Sequence, residues 1–267
     1  MKRIKKNIVF RWKKNWKSYI IIPVLTVFFI FLISTAISPL HRINEYENVA
    51  ESDTFFSAKS DSIYNHPFVV TLLKEKTYKE ALLKLSEKDS IQMVINLADS
   101  AVNLSINGIM IHQTKVLTFQ KDRLFGVLSF PGQMHLVSQP LQVNSQYATI
   151  VKEPIVIRQA PKDTFEAFLN AWQPDTLIQN PAYLILTLQY NIHLIFEQEN
   201  NPTSRDKWER FDFYNWLRWQ KIVNTVFNFT HLRKQEYHPT ITIQMPVNDL
   251  RAIYRALPNQ VFVVIKI

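Results

Sequence analysis

Apolar and polar positions divide this chain into stretches of different period, and the first stretch has no period at all. Ser18 to Leu40 is a run of twenty-three residues without a formal charge. As a helix it would extend about 34 Å, enough to cross the ~30 Å hydrocarbon core of a bilayer. Residues 41–65 are polar and acidic with scattered apolar positions, the pattern of a linker. From Pro67 the spacing turns helical: Thr77-Tyr78-Lys79-Glu80 reads as a capping box, and Ala81, Leu82 and Leu85 make an apolar stripe. A helical stalk over 66–88 is expected.

At Ser90 the period changes. Ile91–Leu97 is a strand-like run, Ala101–Ile106 alternates, Asn107-Gly108 supplies a turn, and Ile109–Val116 returns. Asn-Gly between apolar runs signals a hairpin, because both residues tolerate positive φ. Further strands are expected at Leu124–Phe130, Gln146–Val151, Pro154–Arg158, Ala182–Tyr190, Ile192–Gln198, Tyr237–Met245 and Val261–Ile267, with a short helix over 164–171. Ser204–Asn228 has helical spacing of Trp208, Phe211, Tyr214, Trp216, Trp219, Val223 and Phe227 among charged residues. Pro246–Leu257 reads as a helix opened by proline.

Charge sharpens the reading of the first stretch. Lys2, Arg3, Lys5, Lys6, Arg11, Lys13, Lys14 and Lys17 precede the apolar run with no acidic residue among them. That bias places the N-terminus in the cytoplasm and sends the rest across the membrane. Pro23 falls near the start of the span, where a missing amide does little damage, and Trp12 and Trp16 suit the interfacial belt. The competing interpretation is a cleaved signal peptide, but the apolar run is long for one and Ser34-Thr35-Ala36 is a poor cleavage site. The expected organisation is a basic cytoplasmic tail over 1–17, a transmembrane helix over 18–40, a linker and helical stalk over 41–89, and a periplasmic domain over 90–267. The location that follows is a bacterial inner membrane, crossed once.

Composition removes several classes of function. Setting aside those eight cations, 23 of the 31 basic residues remain against 22 acidic ones, so all but one of the net +9 charges belong to the tail. The exported part offers no phosphate-neutralising surface, and nucleic acid is excluded as a partner. The tail suits anionic lipid at the inner leaflet. With no cysteine there is no disulfide, thiolate metal site or cysteine nucleophile. Only Gly108, Gly126 and Gly132 are present, too few and too scattered for a P-loop, a dinucleotide fingerprint or a nucleophile elbow. No cofactor is expected.

Two stretches carry a resemblance. Met93-Val94-Ile95-Asn96-Leu97, continuing through Ala101–Ile106 to Asn107-Gly108, is similar to the opening hairpin of the L,D-transpeptidase (YkuD-type) catalytic domain of cell-wall enzymes. Pro239-Thr240-Ile241-Thr242-Ile243-Gln244-Met245, then Asp249–Pro258 and the last strand, is similar to that family's closing unit. The resemblance implies a mainly β domain with flanking helices, a mixed β-sandwich, on the single N-terminal transmembrane helix. It also implies a degenerate site. Thr242 falls where the family's catalytic cysteine belongs, Gln244 where its arginine belongs, Thr240 where its histidine belongs and Ile241 where its glycine belongs. His193 falls at the general-base position without a flanking glycine. The family's thioester chemistry needs a thiolate, which a threonine hydroxyl cannot replace without an activating base.

These features suggest a pseudoenzyme: a non-catalytic, membrane-anchored domain binding peptidoglycan stem peptides or envelope proteins, with His193, Thr242 and Gln244 lining a groove open to an extended peptide. Trp208, Phe211, Trp216 and Trp219 are the candidates for a partner-binding helix, since Trp and Arg anchor many interfaces; the same helix could instead be core, or a lid over the groove. Two alternatives stand beside this: a cell-wall-active enzyme using other residues, such as the carboxylates Asp163, Glu166, Asp175, Glu197 and Glu199, or a bitopic scaffold of a division or secretion complex. His193 among apolar neighbours is equally a structural strand histidine. His231, Glu236 and His238 lack the spacing of a zinc site, so no metal is expected.

Overall fold

The computed structural model describes the backbone of residues 2–52, 66–137, 139–152, 181–199, 204–231 and 233–266, and the side chains of these except residues 2–20, 51, 52 and 137. The expected strand at Pro154–Arg158, the helix over 164–171 and the carboxylates of Asp163, Glu166 and Asp175 lie outside the described residues. Packing groups the chain into two compact units, Met1–Glu45 with Leu217–Tyr237, and Tyr46–Trp216 with His238–Ile267.

The first unit is helical. α1 (Lys2–Ser52) begins with the basic stretch, contains the whole uncharged run, and does not stop at Leu40 where a linker is expected. Among the described residues it is the one helix long and apolar enough to cross a membrane. Every residue from Ile21 to Ile30 is exposed. Because the helix starts at Lys2, Pro23 is an interior residue rather than an opening one, and Pro39 is interior as well. Membrane helices tolerate both, since hydroxyl side chains and local adjustment re-satisfy the freed carbonyls. The carbonyls freed here are those of Tyr19 and Thr35, four residues before each proline.

The second unit is built on nine strands: β1 (Gln92–Asn96), β2 (Ala101–Ile106), β3 (Ile109–Lys115), β4 (Thr118–Lys121), β5 (Leu141–Ala148), β6 (Tyr183–Leu188), β7 (His193–Gln198), β8 (Thr240–Met245) and β9 (Phe262–Lys266). They form one mixed sheet in the order β3-β2-β1-β9-β5-β6-β7-β8-β4. β5 joins the two halves of this sheet. Its first residues, Leu141 and Gln142, pair with β9, the rest pair with β6, and the ladder shifts between Val143 and Ser145. A bulge of this kind bends a strand and re-aims its neighbours. Helices also take a larger share than a mainly β chain would have, so the fold is mixed α/β.

The Asn107-Gly108 turn forms as expected, with φ of 49° and 78°. Leu124–Phe130 is not a strand. It divides into α3 (Leu124–Val127) and the start of α4 (Phe130–Val137). α2 (Pro67–Ser86) starts at Pro67 with His66 as its cap, so Thr77 is not a capping residue. It sits mid-helix, and its hydroxyl donates back to the Leu73 carbonyl at 2.9 Å. The stripe does what its spacing requires: Tyr78, Ala81 and Leu85 pack on Val94 of β1 and Val264 of β9. The last turns of α1 also belong to this unit. Tyr46 and Ala50 are buried, and the Glu47 carboxylate accepts from the Ser129 amide (2.6 Å) and hydroxyl. Gly132 admits that carboxylate, for a Cβ there would lie 3.1 Å from Glu47 Oε1.

Candidate functional site

The residues singled out by their chemistry converge on one face of the sheet. β8 alternates: Ile241, Ile243 and Met245 are buried, while Thr240, Thr242 and Gln244 are half-buried on the opposite face. β7 runs parallel to β8 and places His193 opposite Thr240, Ile195 opposite Thr242 and Glu197 opposite Gln244. Side chains at paired positions share a face, so His193, Thr242 and Gln244 stand together with Glu197. On the other flank β4 pairs antiparallel to β8, setting Gln120 opposite Thr242 and Thr118 opposite Gln244. β4 was not expected from the sequence.

The geometry of a nucleophile and its base is missing. One strand across and two residues along put the backbones of His193 and Thr242 roughly 8 Å apart. The His193 ring lies flat on that of His238, 4.6 Å between centroids and 9° between planes. His238 precedes β8, so the imidazole is directed toward the start of that strand and not toward Thr242. Among the described residues nothing hydrogen-bonds the Thr242 hydroxyl, whereas activation needs a base within about 3 Å.

A chain of polar side chains occupies the neighbouring position instead. Thr118 Oγ1 donates to Gln244 Oε1 at 2.7 Å, Gln244 Nε2 donates to Glu197 Oε2 at 3.4 Å, and the Arg210 guanidinium donates to the same oxygen at 3.2 Å. Glu197 is 2% exposed. A buried carboxylate requires such partners, because an unpaired buried charge is costly. Gln244 thus has a structural employment.

Arg210 comes from α5 (Ser204–Thr230), the aromatic helix. Its first half seats on this same face. Phe213 is buried and stacks on Tyr183 of β6 at 5.0 Å, and Trp216 stacks on Tyr147 of β5 at 4.2 Å. Burial pushes the Tyr183 hydroxyl up to about 12, the facing Arg210 working against the shift and Glu197 adding to it. Trp208, Phe211 and Trp219 are exposed, whereas Trp216 is turned to the sheet. The periodicity located this helix; it did not separate the seated aromatics from the outward ones, because both stripes on the helix are aromatic.

Three further observations bound the chemistry. No cluster of metal-ligating side chains exists among the described residues. Both edges of β8 are occupied, by β7 and β4, so an extended peptide cannot add beside it as a strand. Comparison with family models, curated proteins and solved structures returned no match.

Proposed function

We propose that this protein is a non-catalytic, membrane-anchored envelope protein whose sheet domain has the L,D-transpeptidase-like arrangement without its reaction, and whose partners are proteins of the cell envelope. α1 holds it in the inner membrane with the basic tail in the cytoplasm and the sheet domain in the periplasm. The observation that carries this reading is the seating of α5. The face holding His193, Thr242 and Gln244 is covered in part by Phe213 and Trp216, and Thr118, Gln244, Glu197 and Arg210 are bonded to one another on it. A face partly covered by the chain's own helix favours protein partners over peptidoglycan stem peptides. The outward Trp208 and Phe211 are the anchors such a partner would use.

The test has two arms. Full-length protein in detergent, incubated with purified muropeptides, is expected to leave their cross-link profile unchanged. A photo-crosslinking amino acid at Trp208 or Phe211, introduced in cells, is expected to capture an envelope protein. A new or hydrolysed muropeptide that disappears with Thr242→Ala would overturn the non-catalytic reading. Absence of adducts at both positions would overturn the partner assignment.

A further inference from the structure

We infer that the end of α5, from Ile222 to Thr230, is embedded in the periplasmic leaflet of the bilayer beside α1, as a hairpin that enters the lipid and turns back without crossing. This rests on α1 being the membrane anchor proposed above.

Three levels of contact fix the depth. At the outermost, the Arg42 Nε donates to the Tyr237 carbonyl at 3.0 Å, and Lys221 lies over the Tyr237 ring. Below that, the Ser38 hydroxyl donates to the Gln235 carbonyl, and the Gln235 amide donates to the Thr225 carbonyl, both at 3.0 Å. At the innermost, the rings of Phe31 and Phe229 meet edge to face, 5.3 Å apart. Successive positions on α5 (221, 225, 229) therefore descend as positions on α1 (42, 38, 31) descend. At 1.5 Å per residue, Phe229 lies about 14 Å inside Leu40, the last residue of the uncharged run, which is within the outer half of a ~30 Å hydrocarbon core.

The surface and the backbone both suit that setting. Ile222, Val223, Val226 and Phe227 are exposed, as are Leu32, Ile33, Ile37 and Leu40 over the same length of α1. Two of the helix's last four carbonyls, those of Phe227 and Asn228, find partners within the unit. Lys221 receives the Thr225 hydroxyl, Phe227 the Thr230 hydroxyl and the His231 amide, and Asn228 the Arg233 amide. A helix end in water can leave such groups to solvent, but in hydrocarbon each must find a partner in the protein. Charge favours an anionic headgroup layer: Leu217–Tyr237 contains Arg218, Lys221, Arg233 and Lys234 against Glu236 alone. Arg233 and Lys234 follow the tip on the returning segment; the Arg233 guanidinium lies over the Phe227 ring, 5.7 Å from its centroid, while Lys234 has a stem long enough to extend toward the headgroups. They also stop the hairpin from crossing.

The chain has no cysteine, so a single introduced one carries a nitroxide label without ambiguity. Full-length Val226→Cys, Phe28→Cys and Leu83→Cys, each labelled and reconstituted in vesicles of phosphatidylethanolamine and phosphatidylglycerol, would be compared by collision with oxygen and with a water-soluble nickel chelate. The label at 226 is expected to match that at 28, with oxygen collisions high and nickel collisions several-fold below those at 83. Nickel access at 226 with lipid immersion at 28 would overturn the hairpin and leave the anchor standing. Nickel access at 28 would overturn the anchor itself. Shielding of 226 from both reagents would mean that protein covers it, and would overturn lipid as the occupant.

Discussion

Replacing Phe213 by Ala tests whether α5 truly seats on the sheet. The ring is 3% exposed and lies between Tyr183, 5.0 Å away, and Tyr147, 6.2 Å away. Truncating a buried phenylalanine typically costs about 3–5 kcal/mol, the lost transfer plus the void left behind. The lower end applies here, because one wall of the site is a helix that can settle toward the sheet. A cost of about 3 kcal/mol in a domain of this size lowers Tm by roughly 6–12 °C. Phe211 is two residues away and 52% exposed; its replacement by Ala should stay within about 0.5 kcal/mol. Urea unfolding of the full-length protein in detergent, followed by tryptophan fluorescence, measures both, and Trp216 on its Tyr147 stack reports the seat directly. Equal behaviour of the two variants would show that α5 is not seated. The face of His193, Thr242 and Gln244 would then be open, and the case for a closed groove would fail.

Three further outcomes follow from the same geometry. Thr242→Cys, a unique thiol, should react with a bulky maleimide more slowly than Leu83→Cys, and adding Phe213→Ala should speed it; equal rates from the start would refute cover over that position. The Tyr183 hydroxyl ionises near 12 in the folded state and near 10 in the unfolded one, so above pH 10 the unfolded chain sheds its proton first. Stability should therefore fall as pH rises from 10 to 12, by about 2–3 kcal/mol in all, and Tyr183→Phe should remove that share of the urea-midpoint drift. Gly132→Ala presses on a Glu47 carboxylate held by two bonds to Ser129, and should cost about 1–2 kcal/mol in the same unfolding assay.

Much of the fold was legible because local rules agreed with the final packing. The uncharged run, the Asn107-Gly108 hairpin, the alternation at β8 and the stripe of α2 each needed only neighbours along the chain. Failures came where distant partners decided. Leu124–Phe130 is apolar enough for a strand, yet it turns helical beside α2. Thr118–Lys121 is exposed at every position, so no alternation marks it, and only its pairing with β8 makes it a strand. The capping box at Thr77 was a pattern inside a longer helix whose true start is Pro67. For the candidate site, sequence brought out His193, Thr242 and Gln244 and their shared face followed. It did not reveal that Gln244 is tied to Glu197 and Arg210, since that network joins residues from β7, β8 and a helix between them in sequence.

The order of the strands has a consequence for how the molecule comes to exist. β9 is the last strand in the chain, yet it sits between β1 and β5, parallel to one and antiparallel to the other. Until it arrives, β1–β3 and the strands from β5 onward are two unjoined ribbons with raw edges. Synthesis must therefore deliver residue 266 before the sheet can lock. Deleting residues 261–267 should leave a chain whose two ribbons never join.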